Sequence, residues 1–217
     1  NNTSRILIET IVKKTLADIQ EAPQRSIRNL IDMALYFSNG RFQRSFFAMA
    51  QTMLQKETSA YYGLIEDIAN HVDSERIFRF GMNVGYNSCT LGARTIREIE
   101  AKEGYNIPWI ISLYIDSQTF SDKLSDYQKI LSQGESIGVY TWILFPSGYS
   151  KEIVSLIQEH PNCAFALFCN PKDGYSFFIH DIAACKNVML VIQYREDTAK
   201  VCDLLRKEKM LYSVYYC

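Results

Sequence analysis

Apolar and polar positions along this chain follow two different rhythms. Up to about residue 105 apolar residues recur at intervals of three and four, which gathers them on one face of a helix. The stretches "SRILIETIVKKTLADI", "SIRNLIDMALYFS", "FQRSFFAMAQTMLQKE" and "SAYYGLIEDIANHV" all read this way. Pro23, Ser38-Asn39-Gly40, Thr58-Ser59 and Asp73-Ser74 punctuate them with helix stops and starts. Residues 1–105 are therefore expected to form a helical region.

Beyond Ile107-Pro108 short apolar runs take over: "WIISLYI" (109–115), "VYTWILF" (139–145), "CAFALFC" (163–169), "NVMLVIQY" (187–194) and "LYSVYYC" (211–217). They are continuous rather than alternating, the pattern of strands covered on both faces in a parallel sheet. Amphipathic segments separate them: "KLSDYQKILSQGESIG", "SKEIVSLIQEHP", "YSFFIHDIAAC" and "EDTAKVCDLLRKEKM". Parallel neighbours need crossover helices, so this succession predicts an α/β fold with a mostly parallel sheet of about five strands. The sheet is either an open doubly wound one or a partial (βα) barrel, over residues 106–217. The two regions form separate domains or one integrated domain. A first residue other than Met, and a last strand that ends the chain, lead to the expectation that the protein continues beyond one or both ends.

Composition narrows the function classes. Hydrophobic residues make up 47% and charged residues 22%, which is globular composition. A formal net charge of −1 gives no overall basic footprint for nucleic acid. No apolar run reaches the length a membrane span needs. Most of the six cysteines sit in apolar runs, and none forms C-x-x-C, so a reduced, cytoplasmic chain is expected. No metal-ligand spacing is present, and no cofactor is named by the residues.

The block "IISLYIDSQTFSDKLSDYQKILSQGESIGVYTWILFPSGY", with the later "NVMLVIQYREDTAKVCDLLRKEKMLYSVYY", resembles the successive βα units of radical SAM-type partial barrels. The resemblance covers residues 109–217 and is one of layout. It implies a partial barrel and, for an enzyme of that family, an iron–sulfur cluster. The C-x3-C-x2-C loop that holds the cluster is absent from this sequence, so no functional residue is carried over.

Candidate chemistry concentrates in two places. Eight arginines before residue 105 form Arg-x-x-Arg pairs (Arg25/Arg28, Arg41/Arg44, Arg76/Arg79, Arg94/Arg97), each able to share a helix face, against the reading of ordinary local ion pairs. In "GMNVGYNSCTLGARTIREIEA" the glycines Gly81 and Gly85 suggest a chain reversal, and Gly92 a close helix contact. A helix beginning at Ser88 or Thr90 would offer an anion its free N–H groups, with Arg94 and Arg97 in support. Cys89 at that terminus is a weak candidate nucleophile. The second place is the carboxyl ends of the strands, where α/β sheets bind ligands. There Asp116, Asn170 and Asp173 are candidate ligand-binding residues, beside Ser147-Gly148 and Gln193-Tyr194-Arg195-Glu196. The expected function is a non-catalytic binding or regulatory protein for an anionic small molecule or a protein partner. The alternative is a degenerate or incomplete radical SAM-type barrel enzyme.

Overall fold

A computed structural model describes residues 2–19, 21–38, 40–169 and 175–216. The chain divides into two compact units, Asn1–Ser74 and Glu75–Cys217. The change of pattern near residue 105 marks the approach to the first strand, but the second unit begins some thirty residues earlier, because the helix before that strand packs with the sheet.

The first unit is helical: α1 (Asn2–Asp18), α2 (Pro23–Phe37), α3 (Arg41–Met53) and α4 (Ala60–His71). Helix α2 is its centre, touching the other three. Pro23 starts it at a position where the missing N–H costs nothing. Arg28 reaches from α2 to the end of α3 and to α4. Its Nε donates to Leu54 O at 3.3 Å and to the Tyr62 hydroxyl, and its guanidinium lies 5.3 Å from the centre of the Tyr62 ring. The Tyr62 hydroxyl in turn donates to Leu54 O at 2.6 Å. A cation over an aromatic face, with its polar edge bonded to a helix-end carbonyl, ties three helices with one side chain.

The second unit opens with a single long helix. Helix α5 (Ser74–Met82) runs through a π-helical stretch (Asn83–Gly92) into α6 (Ala93–Glu103). The expected chain reversal at Gly81 and Gly85 is thus absent, and no helix begins at Ser88 or Thr90. Packing explains the outcome. Asn83, Asn87, Ser88 and Gly92 are the buried residues of this stretch. The wider i→i+5 winding of a π-helix keeps that spacing on one side, where an α-helix would carry it round to solvent.

That side is fastened to the loops leading into the strands. Asn83 Nδ2 donates to Cys163 O at 2.7 Å and to Pro161 O at 2.9 Å, and Asn87 Nδ2 donates to Asn162 O at 2.9 Å. Thr141 Oγ1 donates to Ser88 Oγ at 3.0 Å. A β-carbon on Gly92 would stand 2.2 Å from Gly138 O, so the close contact expected of Gly92 is present. Arg76, buried in α5, donates to Ala183 O and Cys185 O. Asn187 adds bonds to His160 O at 3.0 Å and Cys163 O at 2.9 Å, so buried amides from two directions satisfy these carbonyls.

Five strands follow: β1 (Ile110–Ile115), β2 (Thr141–Pro146), β3 (Ala164–Cys169), β4 (Val188–Gln193) and β5 (Tyr212–Tyr215). Every pair is parallel and the order is β1-β2-β3-β4-β5. Helices α7 (Phe120–Ser136), α8 (Glu152–Glu159), α9 (Tyr175–Ile182) and α10 (Thr198–Lys207) are the crossovers. Each crossover steps one strand in the same direction. Right-handed connections then place all four helices on the same face. Among the two sheets the sequence allows, this order belongs to consecutive βα units rather than to a doubly wound sheet, whose order reverses.

The core lies between that face and the helices. Ile115, Trp142, Leu144, Phe165, Leu167, Val188, Leu190 and Ile192 pack there with Leu131, Ile153, Leu156, Ile179, Ile182 and Leu205. Alternation along the strands sends the intervening residues to the other face. The expectation of strands covered on both faces holds fully for one face; on the other the edge strand is open, with Tyr114 79% and Ile110 40% exposed, while Val191 on the inner strand β4 is only 7% exposed. Among the described residues, no helix is long and apolar enough to cross a membrane.

Candidate functional site

The free face of the sheet is aromatic along one line. Strand register places Tyr114, Phe145, Phe168 and Val191 side by side. Phe145 and Phe168 come level because Leu144 pairs with Leu167 one residue earlier. Tyr114 stacks on Phe145 at a centroid distance of 5.1 Å and an interplanar angle of 19°. The Phe145 and Phe168 rings are 4.4 Å apart, and Phe168 meets Tyr215 edge-on at 5.0 Å. The row thus joins β1, β2, β3 and β5. Just past β4 and β5, Tyr194 and Tyr216 stack on each other at 4.5 Å. Such pairs contribute about 0.5–1.5 kcal/mol each beyond area burial, which stiffens the row without covering it.

Polar groups gather where the strands end. The Asp116 carboxylate accepts from Gln118 N at 3.1 Å and from Thr119 Oγ1 at 3.0 Å, so it closes its own turn ahead of α7. Ser117 N donates to Ser147 Oγ at 3.0 Å and Ser117 Oγ donates to Gly148 O at 2.6 Å, binding the loops after β1 and β2 together. At the end of β4 the Arg195 guanidinium donates to Gln193 Oε1 at 2.9 and 3.3 Å. By register Gln193 lies beside Tyr215, on the aromatic face. Arg195 therefore places a positive charge at the rim of the aromatic row, with its side chain held by a neutral acceptor.

Tyr149 and Asp181 form a second polar pair at this end. The phenol donates to Asp181 Oδ2, and its ring meets Phe178 edge-on at 5.4 Å. Burial and the neighbouring carboxylate push the Tyr149 phenol up to about 12, so it is a hydrogen-bond donor at neutral pH.

The residues singled out by sequence are scattered rather than convergent. Ser88 is bonded to Thr141, and Thr90 Oγ1 donates to Gly85 O at 3.1 Å, both within the π-helical rod. Neither caps a helix end, so the anion cradle built on free N–H groups there has no structural basis. Arg94 is paired with Glu98 at 2.8 Å on an exposed helix face, and Arg97 is exposed. Arg76 and Arg79 do not act as twins: Arg76 is buried while Arg79 pairs with Glu75 at 2.6 Å in solvent. Burial raises the Cys89 thiol above its ordinary value, opposite to what a nucleophile at a helix start needs. Asn170 and Asp173 lie outside the described residues. Of the described candidates Asp116 alone sits at the strand ends, and there it serves its own loop.

Tyr114, Phe145, Phe168 and Tyr215 were not gathered by sequence reasoning, which placed Arg195 among the strand-end positions without linking it to them. Each aromatic occupies a late position of its run, on the parity opposite to the core residues. That alternation was the available signal, hidden because the runs are apolar at most positions of both parities.

Together these features define a parallel α/β unit of consecutive βα elements, covered by helices on one face and aromatic on the other. Compared with protein-family models, curated proteins and solved structures, the chain finds no match.

Proposed function

We propose that this chain is a non-catalytic binding or regulatory protein that takes a small anionic molecule with a planar, apolar body on the free face of its sheet. The observation that carries this reading is the continuous contact of Tyr114, Phe145, Phe168 and Tyr215 with Arg195 at one end. An exposed apolar surface of this kind is uncommon unless something binds there, and βα units receive ligands at the carboxyl ends of their strands. Stacking against the rings would supply affinity, and the guanidinium would orient the negative group. A cytoplasmic setting belongs to this reading.

The test is an NMR titration of the labelled protein with planar anions such as adenosine monophosphate and flavin mononucleotide, at about 1 mM, where even a weak site of some −4 kcal/mol is half filled. Saturable shifts at Tyr114, Phe168 and Tyr215, weakened by Phe168→Ala and by Arg195→Ala, support the reading. Absence of saturable shifts on this face with any planar anion sinks it.

A second reading, a degenerate radical SAM-type barrel enzyme, is favoured by the sequential strand order, which suits consecutive βα units of such a barrel. Anaerobic reconstitution with iron and sulfide decides it: an incorporated cluster supports the enzyme, and none dismisses the cluster-dependent version.

A further inference from the structure

Strand β1 forms one edge of the sheet. Ser147 N, just past β2, donates to Ile115 O at 2.8 Å, which fixes the side of β1 that faces β2. Backbone groups alternate sides along a strand, so those of Ile111, Leu113 and Ile115 turn toward β2 and those of Ile110, Ser112 and Tyr114 turn outward. The same alternation puts the Ile110, Ser112 and Tyr114 side chains on one face, and all three residues are exposed. The Tyr127 hydroxyl donates to Tyr114 O at 3.0 Å, which leaves that carbonyl a second lone pair. An edge of this kind is a template for another strand unless charge, proline, a bulge or brevity blunts it. The run Ile110–Ile115 holds no charge and no proline, and its register with β2 runs without a bulge. The opposite edge, β5, is only four residues long.

The helix layer beside this edge is open as well. On α7, Gln128 Nε2 donates to Glu159 Oε2 at 2.5 Å and Glu135 pairs with His160, which marks the side turned to α8. Helical periodicity sets Lys123, Asp126 and Ile130 on the opposite side, toward the β1 edge. Ile130 is 41% exposed there. One charge of each sign accompanies it, so this side carries no net charge with which to repel a copy of itself.

We propose that β1 pairs antiparallel with β1 of a second copy of this chain, about a twofold axis perpendicular to the sheet. Such an axis keeps the helices of both copies on one face, so residues of the same face come opposite each other. Centred on Ser112, the pairing sets Ser112 against Ser112 and Tyr114 of each copy against Ile110 of the other. All of these are outward-turned residues, the kind that exchange both N–H···O=C bonds, and an exposed aromatic covers an exposed β-branched side chain twice. The two α7 helices come alongside through their Ile130 sides. Self-complementarity singles out a second copy, because β1 supplies both members of every pair. A twofold also closes at two copies, whereas β1 on β5 would repeat without end. The contact is one strand long, about 20 Å, and two layers deep, smaller than the roughly 800 Å2 each partner contributes to a standard complex. The dimer is therefore reversible, and it does not depend on ligand binding at the sheet face.

The experiment is sedimentation velocity of the full chain from about 5 μM to about 1 mM, a range that brackets dissociation constants near 0.1 mM. The expected result is a mass that rises with concentration from one copy toward two. Ser112→Pro removes an N–H that β2 does not use, so it should leave the circular dichroism spectrum unchanged and raise the dissociation constant at least about ten-fold. Should that variant fail to fold, Ile110→Lys takes its place, with the same weakening expected from a lysine on the edge. Ser112→Cys should form a disulfide-linked dimer under a mild oxidant where the parent chain does not, since paired residues of this kind stand about 5.5 Å apart at Cα. Three outcomes overturn the proposal: a single copy at about 1 mM, a dimer that a folded edge variant leaves unchanged, or a dimer in which Ser112→Cys adds no cross-link.

Discussion

The two faces of the sheet are built from the same five strands and the same kind of residue, yet they have opposite fates. Trp142, Leu144, Phe165 and Leu167 are fully buried under helices, while Tyr114 on the other face is mostly in solvent. Apolar character alone therefore does not tell which face becomes core. The direction of the crossovers does, since four right-handed steps in one direction leave only one face supplied with helices. The covered face carries stability, and the open face is available for binding.

The strongest break of this contrast is on the core side. Leu144→Ala or Leu167→Ala should lower unfolding stability by about 2–5 kcal/mol in urea titrations, because each leaves a cavity in a sealed layer. Next comes Gly92→Ala, which forces a methyl group against the Gly138 carbonyl and should cost about 1–3 kcal/mol by the same measurement. On the open face, Phe145→Ala removes ring contacts without opening a sealed void, and a loss of about 1 kcal/mol is expected. A loss there equal to that of Leu144→Ala would erase the distinction between the faces.

Two smaller effects sharpen it. The Tyr149 phenol is held up near 12, above its ordinary value of about 10. The folded state thus keeps its proton more tightly, so this contribution is complete below pH 10 and fades as pH rises toward 12. Tyr149→Phe should flatten the stability profile over that window, and an unaltered profile would remove the phenol from the account. Arg94→Ala combined with Arg97→Ala should change stability by less than about 0.5 kcal/mol and leave the fold intact, since Arg94 and Glu98 pair in solvent. Its failure to alter anion binding would complete the case against a site on α6.

Strands were legible because each is a short apolar run between turn residues: "CAFALFC" contains β3, Ala164–Cys169, with an error of one residue. Helices α1 to α4 were legible from their period. The stretch around Ser88 was misleading because its small and polar residues are also turn formers. What made it helical lies far along the chain, in carbonyls of Pro161, Asn162 and Cys163 that need the Asn83 and Asn87 amides. No local window contains that demand. The aromatic row was invisible for a related reason: Tyr114, Phe145 and Phe168 are separated by more than twenty residues, and only strand register makes them neighbours.

The sequential strand order also bears on how the unit is made. Each strand pairs with the one before it, as Thr141 does with Ile110, Ala164 with Thr141 and Tyr212 with Leu190, so every pairing closes a loop of roughly 20–30 residues and none spans the whole unit. On the ribosome, each βα segment would find its docking edge already made when it emerges, and growth would proceed in one direction from β1. A chain assembled this way gains or loses a terminal βα segment without rethreading the rest.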